Sequence, residues 1–173
     1  MDRRIIKSQK AIQDTFLNLL MEEGFDAITV KQIAEEANIG RKTFYLHYLD
    51  KYDLLDKIID EHLARLREIC DQKQEKGLVE GTVIWFRYFE QHKPLFAALF
   101  SVHSTRSFQD KLLIFMMIEV EKKLHAQNVE QQIIVKFLAT AVMGVLESYI
   151  LEEFNADVDS VATRVGELMK MHL

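Results

Sequence analysis

Residues 29–51 read TVKQIAEEANIGRKTFYLHYLDK, two short helix-forming runs joined by a tight corner and followed directly by a third helix start. Thr29 and Gln32 have capping-box spacing, in which the hydroxyl takes the Gln32 amide and the glutamine side chain returns to the Thr29 backbone. A helix therefore begins at Val30. Val30, Ile33, Ala34 and Ala37 fall on one face, and Lys31, Gln32, Glu35 and Glu36 on the other. Asn38 ends this helix, because asparagine tolerates the left-handed backbone that helix termini commonly adopt. Ile39 plugs the corner, and Gly40 leaves the backbone free to start a second helix at an angle. That helix runs from Arg41 to Tyr48 and is anchored by Phe44 and Tyr48 at i, i+4, so Arg41, Lys42, Thr43, Tyr45 and His47 remain for its outer side. Two helices joined by about three residues and crossing at roughly 90–120° form a helix-turn-helix, a unit that reads DNA.

The run from Thr29 to Leu55 resembles the N-terminal domain of the TetR (tetracycline-repressor-like) transcriptional regulators. Their T-x-x-x-I-A … T-[FL]-Y-x-[HY]-[FY] … K-x-x-L-L pattern is matched by Thr29, Ile33-Ala34, Thr43-Phe44-Tyr45, His47-Tyr48 and Lys51-Tyr52-Asp53-Leu54-Leu55. The chain departs where many members carry Gly in the corner and Ser as the recognition-helix cap. Asn38 and Gly40 hold those places and suit the backbone roles, but the serine contact to phosphate is lost.

Composition is consistent with this picture. A chain of 173 residues, 49% of them hydrophobic, fills one large or two small domains around a substantial core. The lone Cys70 excludes an intrachain disulfide and fits a cytoplasmic setting. MDRRIIKSQK lacks the apolar run of a signal peptide, and the uncharged stretch Phe137–Leu146 is far shorter than the roughly 20 residues of a membrane helix, so no membrane partner is expected. The net charge of −5 argues at first against a polyanionic partner. Residues 1–51, however, balance eight basic against eight acidic side chains, and the bases gather at the start of helix 1 and around the corner. A local basic face suffices for phosphate contact.

The fold class expected is all-α, with about nine helices. A three-helix helix-turn-helix domain over 1–49 precedes a larger helical effector-binding and dimerisation domain over 50–173, and the helix at 50–76 links the two. Helix 1 spans about Arg3 to Glu23, with Ile5, Ile12, Phe16, Leu19 and Leu20 on one face and Gly24 as its stop. Asp50 caps helix 4, whose first-turn Lys51 is placed to hold a phosphate beside outward-pointing amides. Pro94 opens a short sixth helix. A seventh, with its Leu112–Ile118 run apolar on every side, is expected at the centre.

In the eighth helix, about Val129 to Glu153, apolar pairs recur every four residues, so the buried stripe winds and one neighbour does not cover it. Ala139-Thr140 and Met143-Gly144 between the pairs would allow close approach of another helix. A ninth helix adds Val165, Leu168 and Met169. Helices 8 and 9 are thus expected to meet their copies across a two-fold axis as a four-helix bundle, which the resemblance also implies.

For recognition, Arg41 and Lys42 are suited to donate to guanine O6 and N7, and Thr43 to touch a thymine methyl or a phosphate. By resemblance, Lys31, Thr43, Tyr45, His47 and Lys51 match the usual backbone or base contacts, and Thr29 a phosphate-facing cap. Phe44 and Tyr48 read as core. In the larger domain Trp85, Phe86, Phe89, Phe96 and Phe100 supply aromatic lining for an effector cavity. His103, Phe115, Met116 and Met117 add polar and adaptable groups, and the same residues would equally serve an ordinary core. The implied function is a regulator on a palindromic operator in double-stranded DNA, most simply a homodimeric repressor released by a small apolar or aromatic ligand. The alternative is a helical interaction protein that keeps the fold, as an activator component would. Enzyme signatures are missing: there is no Gly-rich phosphate loop, HExxH or Glu-x-x-His, and no cofactor is expected.

Overall fold

A computed structural model describes residues 3–72, 76–101, 106–124 and 128–173. Among them the chain forms nine helices and no strand: α1 (Arg3–Glu23), α2 (Val30–Glu36), α3 (Arg41–Tyr45), α4 (Lys51–Gln72), α5 (Leu78–Gln91), α6 (Lys93–Ser101), α7 (Arg106–Leu124), α8 (Val129–Ile150) and α9 (Val158–Lys170).

The local rules act where the sequence places them. Gly24 takes φ +77 after α1. Asn38 takes φ 53, and the Asn38 and Ile39 amides return to the Glu35 and Ala34 carbonyls, the paired bonds of a Schellman cap. Thr29 Oγ1 accepts the Gln32 amide at 3.2 Å. The reciprocal half of that box does not form: Gln32 Nε2 donates to Glu23 Oε1 at 2.7 Å, tying α2 to the end of α1 instead. Gly40 adopts φ −74, which any residue can hold, so its freedom is not what turns the corner. Asp50 accepts the Tyr52 and Asp53 amides, and Asp53 reaches back to the Leu49 amide, a full cap for α4.

One apolar cluster runs through the molecule. Ile12, Phe16, Leu19, Phe25, Ile28, Ile33 and Phe44 fill the three-helix unit. Leu54, Leu55, Ile58, Ile59 and Leu66 carry the cluster up α4, about 33 Å long at 1.5 Å per residue. It continues into α5–α9 through Phe86, Phe89, Phe96, Phe108 and Leu112. α1 also rests on α6, so the small unit meets the larger one twice. Ile5 is not part of this core; it is exposed on the first turns of α1. The expectation that α7 is buried all round also fails: Ile114 and Ile118 are exposed while Leu112, Phe115 and Met116 are buried, so α7 packs on one side against α8 and α4.

α8 is long and apolar enough to cross a membrane by length and composition, which the short uncharged stretch within it did not suggest. Its packing assigns it elsewhere. Val135, Leu138, Ala139, Leu146 and Tyr149 are buried against this chain's own helices, and Lys136 and Glu147 interrupt the apolar run.

Candidate nucleic-acid interface

α3 is shorter than expected, ending at Tyr45 and passing through a turn to Tyr48. Its anchors are as read: Phe44 and Tyr48 are buried, their rings 5.6 Å apart. Arg41 and Lys42 are exposed and have no side-chain partner among the described residues. Tyr45 is 57% exposed on the same outer surface, Thr43 is half-buried, and the Thr29 hydroxyl caps α2 at the surface. Lys31 lies on the outer face of α2, 3.8 Å from Glu35, a solvated pair that a phosphate would displace at little cost.

Two expected contacts have other partners. Lys51 Nζ donates to the carbonyls of Phe25, Asp26 and Ile28 at 2.9, 3.1 and 2.9 Å and sits 4.6 Å from the Phe25 ring centroid. An ammonium has three donors, and all three close the α1–α2 loop, leaving none for phosphate. His47 Nε2 lies 2.8 Å from the Ser8 hydroxyl, and its carbonyl accepts from Lys57 Nζ at 3.0 Å. His47 thus fastens the end of α3 to α1. The bond brings the first turns of α1, with Arg3, Arg4 and Lys7, alongside that end.

Two residues of this surface escaped the sequence reading. Leu46 and Leu49 are 81% and 80% exposed. The only signal for them was their i+4 and i+7 offset from the exposed Lys42. With Lys42 and Tyr45 they complete an outer face at positions 42, 45, 46 and 49.

In the larger domain a cavity of about 420 Å³ opens between α4, α5, α7, α8 and α9. Trp85, Phe115 and Met116 line it as expected. Phe86, Phe89, Phe96 and Phe100 do not; they stack in the buried core, with Phe89 and Phe96 ring centroids 4.4 Å apart. Met117 packs between core clusters, outside the lining, and His103 lies outside the described residues. The wall is completed by residues the sequence did not single out, among them Ile69, Cys70, Gly81, Thr82, Glu119, Lys122, Lys123 and Val142.

The expected interface residues divide. Ala139 and Val165 are buried within this chain, Met169 lines the cavity, and Met143 packs on the core. Ala139 and Val165, closed off within the chain, are corrected to intrachain roles, and Met143 and Met169 stay part-exposed. Thr140 and Gly144 are exposed, as is Leu168. The close approach of helices occurs elsewhere, where α9 Gly166 faces α5: a Cβ there would lie 2.8 Å from Val79 Cα. The exposed face of α8 instead carries Ile133, Phe137, Thr140, Ala141 and Gly144.

This geometry agrees with the comparisons with known proteins. The profile described as "Bacterial regulatory proteins, tetR family" matches residues 12–58, and "Transcriptional regulator C-terminal region" matches 78–171, more than half the chain. The chain belongs to the TetR family. It is a transcriptional regulator, and its relatives are regulators rather than enzymes. It is 38% identical to YxbF of Bacillus subtilis (strain 168), an uncharacterised HTH-type regulator, over 66 residues, which are 38% of this chain and only 17% of that protein. It is 24% identical over 158 residues to the dhaKLM operon transcriptional activator DhaS of Lactococcus lactis, covering 86% of this chain and 82% of DhaS. Among solved structures, a TetR regulator from Streptococcus agalactiae superposes with a TM-score of 0.78 at 24% identity, over 97% and 96% of the two chains, a likeness of fold.

Proposed function

We propose that this TetR-family chain acts in the cytoplasm as a homodimer on a palindromic DNA site and is controlled by a small molecule in the α4–α9 cavity. The observation that carries the proposal is the outer face of α3 and the turn after it, where Arg41, Lys42, Tyr45 and Leu46 stand exposed around a buried Phe44. Arginine and lysine there are suited to guanine edges or phosphates, and Leu46 to a thymine methyl in the major groove. Lys31 and Thr43 flank them for phosphate contact.

The dimer reading rests on α8. Ile133, Phe137 and Ala141 form an exposed apolar stripe at helical spacing, and Thr140 and Gly144 beside it are small enough to let a second α8 approach. Control rests on α4, whose first turn abuts the helix-turn-helix and whose last turn supplies Ile69 and Cys70 to the cavity wall. A ligand that favours a different tilt of this rod changes the separation of the two reading units, which must match half-sites about 34–36 Å apart or a multiple.

Repression relieved by ligand is the simplest consequence. DhaS, described as an activator, supports the second reading, in which the same dimer promotes transcription. Selection of bound sequences from random duplex DNA tests the core proposal. A two-fold symmetric site supports it, and failure to enrich any sequence at low salt refutes it. In vitro transcription from the selected site then separates repressor from activator by the sign of the effect.

A further inference from the structure

Two lysines and a glutamate stand together at a cavity whose other walls are mostly apolar. Ile69, Leu78, Phe115, Met116, Val120 and Val142 supply its walls. The Thr82 hydroxyl in it already donates to the Leu78 carbonyl at 2.8 Å. The charged groups lie together on the last turns of α7: Glu119, Lys122 and Lys123. Glu119 is bound to Lys122 at 2.6 Å, and its side chain is only 16% exposed, so its charge is met within the pair. Arg67 and Asp71 of α4 act on Lys122 with opposite sign. Lys123 has no ion-pair partner among the described residues. Among the described lining residues, two ammonium groups stand against one carboxylate, one net positive charge. The helix dipole favours basic residues at the end of α7, but it does not require them to line a cavity.

We infer that the effector is an amphipathic anion, an apolar body that fills the cavity with a carboxylate or similar head held by Lys123 and Lys122. The inference rests on the reading of this cavity as the effector site. Lys123, which has no ion-pair partner among the described residues, takes most of the head's charge, while the apolar walls take the tail out of water. A cation would meet the reverse: two like charges, and one carboxylate already engaged.

The chain contains a single tryptophan, Trp85, and it lines the cavity, so its emission reports occupancy directly. Decanoate, decanol and decyltrimethylammonium, titrated below their micelle-forming concentrations, share one tail and differ in head charge. Decanoate is expected to bind at least tenfold more tightly than decanol, and the ammonium compound most weakly. The variant Lys123→Gln, at the exposed end of α7, leaves the Glu119–Lys122 pair in place and removes the net charge, so it should bring decanoate to within about twofold of decanol.

A cavity-filling variant is a second control. A Cβ at Gly81 meets no atom within 4 Å, so Gly81→Leu should enter the cavity without displacing backbone and should abolish the response to all three compounds. Equal binding of acid and alcohol, tightest binding of the ammonium compound, silence of Trp85 toward all three, or wild-type binding by Gly81→Leu would each overturn the inference. Adding decanoate to the DNA complex is a separate measurement. Binding with no effect on DNA affinity would leave the ligand class standing and remove the control function from the cavity.

Discussion

Replacing Lys51 with methionine separates a structural clamp from a phosphate contact. The substitution keeps the stem over Phe25 and removes the ammonium that joins the carbonyls of Phe25, Asp26 and Ile28. The bonds to Phe25 and Ile28 are part-buried, and each bond from a charged donor is worth about 1.5–3 kcal/mol, so the two together contribute roughly 3 kcal/mol at the lower end. The exposed Asp26 carbonyl regains water and adds little. The cation over Phe25 contributes about 0.5–1 kcal/mol. A methionine held over Phe25 loses about as much side-chain entropy as the lysine, so that contribution cancels. The net loss is about 3.5 kcal/mol, or about 7–14 °C in Tm for a chain of this length. Thermal unfolding followed by circular dichroism reads it. An unchanged Tm together with a DNA-binding salt slope reduced by about 0.9 would show that Lys51 serves a phosphate, and would refute the clamp.

Gly166→Ala should lower stability by up to about 2 kcal/mol, because overpacking against Val79, about 1–3 kcal/mol, outweighs the helix-propensity gain of about 1 kcal/mol. A raised Tm would contradict the tight α5–α9 seam. His62, 2.7 Å from the Tyr88 hydroxyl, is pushed down to about 4 by burial and by the neighbouring His92 and Arg65. The unfolded chain therefore binds the proton first, and stability falls as pH drops from about 6.5 towards 4, by at most about 1.4 kcal/mol per pH unit. His62→Gln should flatten that part of the denaturation profile, and an unaltered slope would assign it to other groups. Phe137→Glu puts a charge on an exposed stripe, so the chain should keep its helicity and sediment as a monomer; a dimer would move the interface off α8. Replacing thymines of the selected site with deoxyuridine, one at a time, should weaken binding roughly fourfold at one position, about 0.8 kcal/mol for a methyl group. Leu46→Ala should erase that difference, and a persistent one would assign the methyl to another side chain.

The order and nature of the helices were legible because local rules govern them: Thr29, Asn38 and Asp50 cap as their chemistry requires. What could not be read depended on residues brought together from afar. Gln32 finds Glu23 rather than the Thr29 backbone only once α1 and α2 have packed. A lysine opening a helix reads as an anion site until the preceding loop is seen folded over its ammonium. Aromatics at helical spacing serve a core or a cavity with the same chemistry, so Phe86, Phe89, Phe96 and Phe100 could not be told from Trp85 and Phe115. Small residues mark a close approach without naming the helix pair: Ala139 is buried within the chain, and the tight approach falls at Gly166 between α5 and α9.

The account depends on the outer face of α3 meeting duplex DNA. Fluorescence anisotropy with the selected duplex, titrated over a range of salt for the wild type and for Arg41→Ala, Lys42→Ala, measures this directly. The account predicts tight salt-dependent binding, and for the double variant both weaker affinity and reduced preference for the selected site over a scrambled one. Equal affinity and equal preference in the two proteins, with the variant still folded, would contradict it.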